Sequence, residues 1–303
     1  MKKTRITDTI TYVQPGSMAN FTSCSGIMID SGTTVWIDMN MGPEDTPDLL
    51  KKERPGACII THYHLDHSIW TRHVRDFTGA EIFIPRAEEK YLTSLDYVIE
   101  HTAGVLGMAG PWKQFVVHTL GYRALEDYHT YDAGTTFREW VPEMVPVETP
   151  GHSPGHTSFY FPDDNILFSG DMGLDRFGPW YGWADCSIPK LVESILRLDG
   201  LETNLVLTSH GGVLKKDIQV HWRHCIRHLI QREKKIRAQL DAGKTEKAIV
   251  SAGIFFKDKE SVKDPMKSFL YMWDTAMFRH HERIIRQGGL STYFPDIFQW
   301  PDK

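Results

Sequence analysis

Three histidines and an aspartate fall within six consecutive positions, His62-Tyr63-His64-Leu65-Asp66-His67, directly behind the apolar run Cys58-Ile59-Ile60. A packed core has no use for imidazole and carboxylate at that density. On the extended end of a strand His62 and His64 project to the same side, while the following turn can bring Asp66 and His67 round to a neighbouring point. Two cations with separate ligand sets would fit. Histidine is also over-represented in the chain as a whole, with 15 copies among 303 residues, and its distinctive chemistry is metal ligation and proton transfer near neutral pH.

Three later segments each end an apolar strand pattern with a side chain able to bind a metal: His152 in ETPGHSPGH, Asp171 in ILFSGDMG and His210 in LVLTSHGG. Each has a neighbouring glycine, which lets backbone and ligand approach closely. By spacing alone His156 competes with His152. Imidazole and carboxylate suit zinc, manganese or iron. Cys24, Cys58, Cys186 and Cys225 are scattered without CxxC spacing, so neither a disulfide framework nor a cysteine zinc cage is indicated.

A hydrophobic fraction of 41% and a charged fraction of 24% are those of a soluble globular protein. The net charge of -5 gives no global attraction to nucleic acid or an anionic membrane. No apolar run approaches the roughly 20 residues of a membrane span, and the basic start MKKTR lacks the apolar stretch of a signal peptide. The expected location is the cytoplasm.

Strand patterns run through ITYVQPG, SGIMIDSG, TTVWIDMN and GACIITH, with a short helix at PDLLKKE, a helix at HSIWTRHVRDFTG and a strand at EIFIP. From about 93 to 135 the chain is apolar, aromatic and broken by glycine, which suits an inserted lid or pocket wall. Strands resume at VPVETPGH, TSFYFPDD and NILFSGDMG, a helix follows at LVESILRLDGL, and a last strand at NLVLTSHGG. These patterns divide the chain into an α/β catalytic core over 1–216 and a helical extension over 217–303.

With these residues in place, the chain resembles the metallo-β-lactamase superfamily. HYHLDH is similar to that family's HxHxDH signature, PGHSPGH to its next histidine, SGD to its bridging aspartate and SHG to its last histidine, in the family's order over about residues 5 to 215. The resemblance implies a four-layer αβ/βα sandwich with a binuclear centre at one edge. It also implies a first divalent ion on His62, His64 and His152, a second on Asp66, His67 and His210, and Asp171 bridging them. Asp38 matches a family aspartate that orients a ligand histidine, although Met39 and Asn40 replace the residues usually seen next. His156 then takes a supporting role. A carboxylate typical of flavodiiron oxidases is replaced by His64.

Two such ions, zinc being favoured over iron or manganese, imply hydrolysis by an activated hydroxide of an ester, thioester or lactone carbonyl. Asp66 and Asp171 double as ligands and as groups that orient the nucleophile. The alternative is an iron-dependent oxidoreductase resembling persulfide dioxygenases. Aromatics in Gly173–Trp183 are expected to form one pocket wall, with Tyr181 a candidate donor to an oxyanion or leaving group. Tyr97, Met108, Trp112 and Phe115 supply the opposite wall, so the expected partner is a small molecule with an apolar acyl or ring portion; self-association is left open. His221, His224 and His228 share one helix face, His280 and His281 sit on the last long helix, and Lys215, Lys216, Arg223 and Arg227 form a charge run. A third metal site on the first face, a substrate contact from His280 or His281 and an anion-binding role for the charge run are the functional alternatives; solvated faces are the default for all of these.

Overall fold

Side chains of successive strand residues point to opposite faces, and in this chain both faces are apolar, so the sheets need cover on each side. The computed structural model describes residues 1–17, 22–141 and 143–300. A first sheet runs in sequence order through β1 (Lys2–Arg5), β2 (Ile10–Gln14), β3 (Gly26–Asp30), β4 (Thr34–Ile37), β5 (Ala57–Ile59), β6 (Glu81–Pro85) and β7 (His129–Tyr131). The strands are antiparallel as far as β4 and parallel from β4 to β7. The second sheet contains β8 (Val145–Glu148), β9 (Thr157–Phe161), β10 (Ile166–Phe168), β11 (Leu205–Leu207) and β12 (Val213–Leu214), in the order β12-β11-β10-β9-β8. Only its β10–β11 pair is parallel.

Val35 and Ile37 of β4 and Ala57 and Ile59 of β5 share one buried cluster with Phe159, Phe161, Ile166, Phe168 and Leu207 of the second sheet. That is the layer between the sheets. Their alternates, Trp36, Cys58, Leu167 and Val206, belong to a second, larger cluster on the outer faces.

The helices of that outer layer include α1 (Gly42–Glu53), α2 (Leu65–Ser68), α3 (Thr71–Thr78), α4 (Glu89–Thr93), α5 (Leu95–Ile99), α6 (Ala109–Gln114) and α7 (Ile188–Asp199). They are followed by α8 (Ile218–Asp241), α9 (Glu246–Ala252) and α10 (Met266–Arg286). Leu49, Leu50 and Val74 come from α1 and α3, Leu191, Ile195 and Leu198 from α7, and Trp222, Leu229, Phe269 and Trp273 from α8 and α10, all in the one outer cluster. The arrangement is helix, sheet, sheet, helix. Among the described residues no helix is long and apolar enough to cross a membrane.

Three strands depart from the sequence reading; β12, only Val213–Leu214, lies just beyond the last run read as a strand. β1 is Lys-Lys-Thr-Arg and mostly exposed; a charged edge strand blocks further pairing and carries no apolar signal. β7 lies inside the segment expected to be an insertion, yet it pairs with β6. The first part of that segment is helical: α5 and α6 each run on into a π-helical turn, Glu100–Gly104 and Phe115–Thr119, before an irregular stretch over 121–128. Phe159, fully buried between the sheets, tests the inner layer. Phe159→Ala should cost about 3–5 kcal/mol of unfolding free energy in urea titration, whereas Phe77→Ala, at a ring 50% exposed, should change it by less than about 0.5 kcal/mol.

Candidate metal centre

The seven side chains singled out by the sequence come from turns just beyond β5, β8, β10 and β11, where the edges of the two sheets meet. The structure gathers them into two groups, His62 with His64 and His152, and Asp66 with His67, Asp171 and His210. Within each group the potential ligand atoms all lie within 4.8 Å of one another. His62, His64, His67 and His152 are buried, while Asp66, Asp171 and His210 retain partial exposure on the cavity side.

Hydrogen bonding fixes the tautomers of the key rings. The Thr61 hydroxyl donates to Asp38 Oδ2, so its oxygen can only accept from His62 Nδ1 at 2.9 Å. His62 Nε2 is left with a lone pair. The Trp180 carbonyl, which cannot donate, accepts from His152 Nδ1 at 2.9 Å and leaves His152 Nε2 in the same state. Those two Nε2 atoms face each other at 3.1 Å with no proton between them, and His64 Nε2 is buried without a hydrogen-bond partner. Burial, followed by the neighbouring imidazoles, holds His62 and His64 well below the ordinary histidine pKa. Three neutral imidazoles converging in this way fit a divalent ion and little else.

The second group is richer in oxygen. Asp38 Oδ2 accepts from His67 Nδ1 at 2.8 Å, turning His67 Nε2 towards Asp171 Oδ1 at 3.3 Å and Asp66 Oδ2 at 3.5 Å. His210 Nε2 lies 3.0 Å from Asp66 Oδ2 and 3.2 Å from Asp171 Oδ2. Asp171 Oδ2 is also 3.6 Å from His152 Nε2, so this carboxylate touches both groups. Burial opposes protonation of His210, but Asp171 and Asp66 hold its pKa well above the usual value. A cation here competes with protons for the same lone pairs. The donor set suits divalent ions, and both groups fit them.

Supporting residues hold the turns in place. Asp38 is buried and takes a left-handed φ of 51°, a conformation that costs a non-glycine residue roughly 1–3 kcal/mol. In that position its carboxylate receives the Thr61 N–H at 2.9 Å as well as His67. Asn40 Nδ2 donates to the Asp66 carbonyl at 2.6 Å. His156 Nε2 accepts the Asp171 backbone N–H at 3.0 Å and Nδ1 meets Thr149 Oγ at 2.8 Å. Both nitrogens are engaged, so His156 orients the Asp171 turn and His152 is the ring aimed at the other imidazoles.

Glu88 is the main feature that sequence reasoning missed. It is fully buried; Oε2 accepts the Tyr63 N–H at 2.5 Å, and Oε1 accepts the Gly155 N–H at 2.8 Å and the Ser153 hydroxyl. One carboxylate thus ties the turn after β5 to the turn after β8. Burial pushes its pKa up to about 8, against the pull of those donors. In sequence it is one of two adjacent glutamates in PRAEEK, and nothing there marks it. Gly155 must be glycine for the approach, since a Cβ would meet Glu88 Cγ at 2.8 Å.

The centre opens into a cavity of about 660 Å³ lined by His64, Asp66, His152, Asp171 and His210. Its walls include Val98, Ile99, Trp112 and Val116 from the helical insertion, Leu174, Phe177, Trp180 and Trp183 from the loop after Asp171, and Phe255 and Trp273 from the C-terminal region. Trp112 stands where the sequence reading put it; Tyr97, Met108 and Phe115 pack behind the wall instead.

Tyr181 requires a correction. It is fully buried outside the cavity lining, and its hydroxyl is bound to His281 Nε2 at 2.7 Å with Arg232 donating at 3.3 Å. An oxyanion in the cavity cannot reach it. His280 and His281 are likewise neither solvated nor in the cavity: both are buried, and His280 Nε2 donates to the Trp183 carbonyl at 2.7 Å. Arg232, unremarked in the sequence, donates to the Pro179 carbonyl at 2.6 Å and to the Phe177 carbonyl. Together these three side chains pin the aromatic loop to α8 and α10.

Two substitutions test this support. Asp38→Asn tolerates the left-handed backbone but removes the charge behind His67, and should weaken divalent-ion affinity about 10–100-fold in chelator competition. Glu88→Gln sets an amide N–H against donors and should lower unfolding free energy by about 1–3 kcal/mol in denaturant titration above pH 8, where the Glu88 carboxyl is ionised.

Residues 25–210 match the family model described as metallo-beta-lactamase superfamily. A hydroxyacylglutathione hydrolase of Erythrobacter litoralis is 32% identical over 122 residues, 36% of this chain and 43% of that relative, so the match spans under half of the relative's length. Two crystal structures share the fold over nearly the whole chain. A metallo-beta-lactamase family protein from Thermus thermophilus has a TM-score of 0.74 at 18% identity, covering 92% of this chain and 94% of its own. A beta-lactamase domain protein from Burkholderia ambifaria has a TM-score of 0.70 at 14% identity, covering 95% and 89%. With the signature residues converging at the edge of such a sandwich, the chain belongs to the metallo-β-lactamase superfamily.

Proposed function

We propose that the protein is a binuclear metallohydrolase that cleaves an ester, thioester or lactone carrying an apolar acyl or ring portion. The observation that carries this reading is the meeting of the His62-His64-His152 group and the Asp66-His67-Asp171-His210 group at the floor of one largely apolar cavity. The local likeness to a hydroxyacylglutathione hydrolase supports acyl-bond hydrolysis. The aromatic walls favour an apolar acyl portion, since among the described residues that line the cavity Arg176 is the sole lysine or arginine.

In this reading His62, His64 and His152 would hold the first ion and Asp66, His67 and His210 the second, with the Asp171 carboxylate available to both groups. Zinc is the proposed ion; the imidazole and carboxylate donor set accepts it, and would accept iron or manganese as well. Two bound divalent ions would supply a water of lowered pKa and a Lewis acid for the carbonyl. The chain's own residues do the rest. Asp66 and Asp171, on the cavity side of the floor, accept hydrogen bonds that orient the attacking water. Trp180, with its ring centroid 5.3 Å from that of His64 and 5.7 Å from that of His152, limits the approach from one side. Trp112, Trp183 and Trp273 pack edge to face with centroids 5.1–5.8 Å apart and give the acyl portion a rigid wall from which water is displaced.

The experiment is a panel of p-nitrophenyl esters, acyl thioesters and homoserine lactones offered to metal-loaded protein, with metal content measured in parallel. Wild-type protein should turn over at least one of these classes and carry two ions per chain. His64→Ala and Asp171→Ala should each remove activity and lower metal content while remaining soluble. Unchanged turnover in both variants would refute the assignment. Bound iron with oxygen consumption and no hydrolysis would replace it with the oxidoreductase reading.

A further inference from the structure

Three histidines on α8 are left over by the metal centre, and the structure brings two of them together. His224 Nε2 and His228 Nε2 lie 3.0 Å apart on successive turns, with their rings nearly perpendicular at 88°. His224 is exposed and His228 half-buried. His224 also lines the large cavity, as does His221 one turn earlier. The pair therefore stands beside the cavity but belongs to neither ligand group at its floor.

We propose that His224 and His228 form a third, weaker divalent-cation site at the cavity wall, suited to zinc or a similar imidazole-binding ion, whose occupation obstructs substrate entry. Two metal–nitrogen bonds of about 2.0–2.1 Å meeting at about 95–110° place their nitrogens about 3.0–3.4 Å apart, so the pair is already spaced as a chelate. Positions i and i+4 put both rings on one helix face. The His228 ring is also held in place: a Cβ at Gly178, where φ is 72°, would lie 2.6 Å from its Cγ, so only glycine lets the loop pack against it. Burial, then Arg232 and His224, lower the His228 pKa to about 4, so a neutral ring is presented at pH 7.

The site is weaker than the centre for two reasons. It offers two nitrogens and no carboxylate, and the cationic Arg232 and Lys235 act on His228. The contact also differs in kind from that of His62 and His152. There hydrogen bonds strip the proton from between the rings, whereas the α8 pair can share an N–H···N hydrogen bond and accepts a cation without requiring one. Loading should follow that order: the centre first, the helix pair only when metal is in excess.

The test is a zinc titration of the metal-loaded full chain by calorimetry and equilibrium dialysis, comparing wild type with His228→Asn. Wild type should show one weak equivalent beyond the centre, and His228→Asn should lack that equivalent while keeping the tighter ones. His224→Gln gives a second, independent metal readout and should also lack it. Excess zinc should inhibit wild-type hydrolysis but not that of His228→Asn, whose turnover without excess zinc should be unchanged. A wild type without the weak equivalent, or both variants retaining it, overturns the proposal. Only the inhibition arm rests on the hydrolase reading; the binding arms stand without any turnover, so the two failures are distinguishable.

Discussion

His62 and His152 present two Nε2 lone pairs to one another at 3.1 Å, each ring having been committed to that tautomer by a partner on its other side. Lone pairs at that distance repel unless one cation is bound by both, so the arrangement is suited to an ion whose binding would be linked to folding. Much of the surrounding geometry serves this arrangement. Asp38 adopts a left-handed backbone to receive Thr61 and His67 on one carboxylate. Thr61 passes that orientation on to His62. The same carboxylate therefore sets one ring in each of the two groups, directly for His67 and through a hydroxyl for His62.

A sandwich edge places ligands close together but does not align them, because the turns belong to different sheets. Alignment comes from buried side chains that join the turns. Glu88 spans from the Tyr63 N–H beyond the first sheet to Ser153 and Gly155 beyond the second. His156 reaches from the PGHSPGH turn to the Asp171 N–H. Burying a carboxylate is costly, and its persistence here follows from three donors that no single apolar side chain could satisfy.

The candidate ligand side chains were legible in the sequence because their chemistry is dense and follows strands: HYHLDH, GH, SGD and SHG stand out against apolar neighbours. The positions of the core strands were partly legible for the same reason, through apolar runs such as TVWI and ACI. Glu88 and Arg232 were not, since each lies in an ordinary-looking charged segment and acquires its role only when distant backbone arrives. Tyr181 misled in the opposite direction. An aromatic-rich loop beside the catalytic edge suggested a phenol facing substrate, but sequence does not say which of Trp180, Tyr181 and Trp183 turns inward. The short edge strands β1, β7 and β12 were hidden because none carries a four-residue apolar run.

Two separate anchoring systems follow from these contacts. Asp38, Glu88 and His156 tie the ligand turns to the sandwich, whereas Arg232, His280 and His281 tie the aromatic wall to the C-terminal helices. Trp180 is where the two systems meet. Its carbonyl fixes His152, its ring lines the cavity, and the carbonyls on either side of its loop are held by Arg232 and His280. Wall residues away from this joint, such as Val116 or Phe255, can change size with little consequence for the ligands. A shift of Trp180 itself must reach the histidines, because the backbone that shapes the cavity is the same backbone that keeps the His152 lone pair pointed at the metal position.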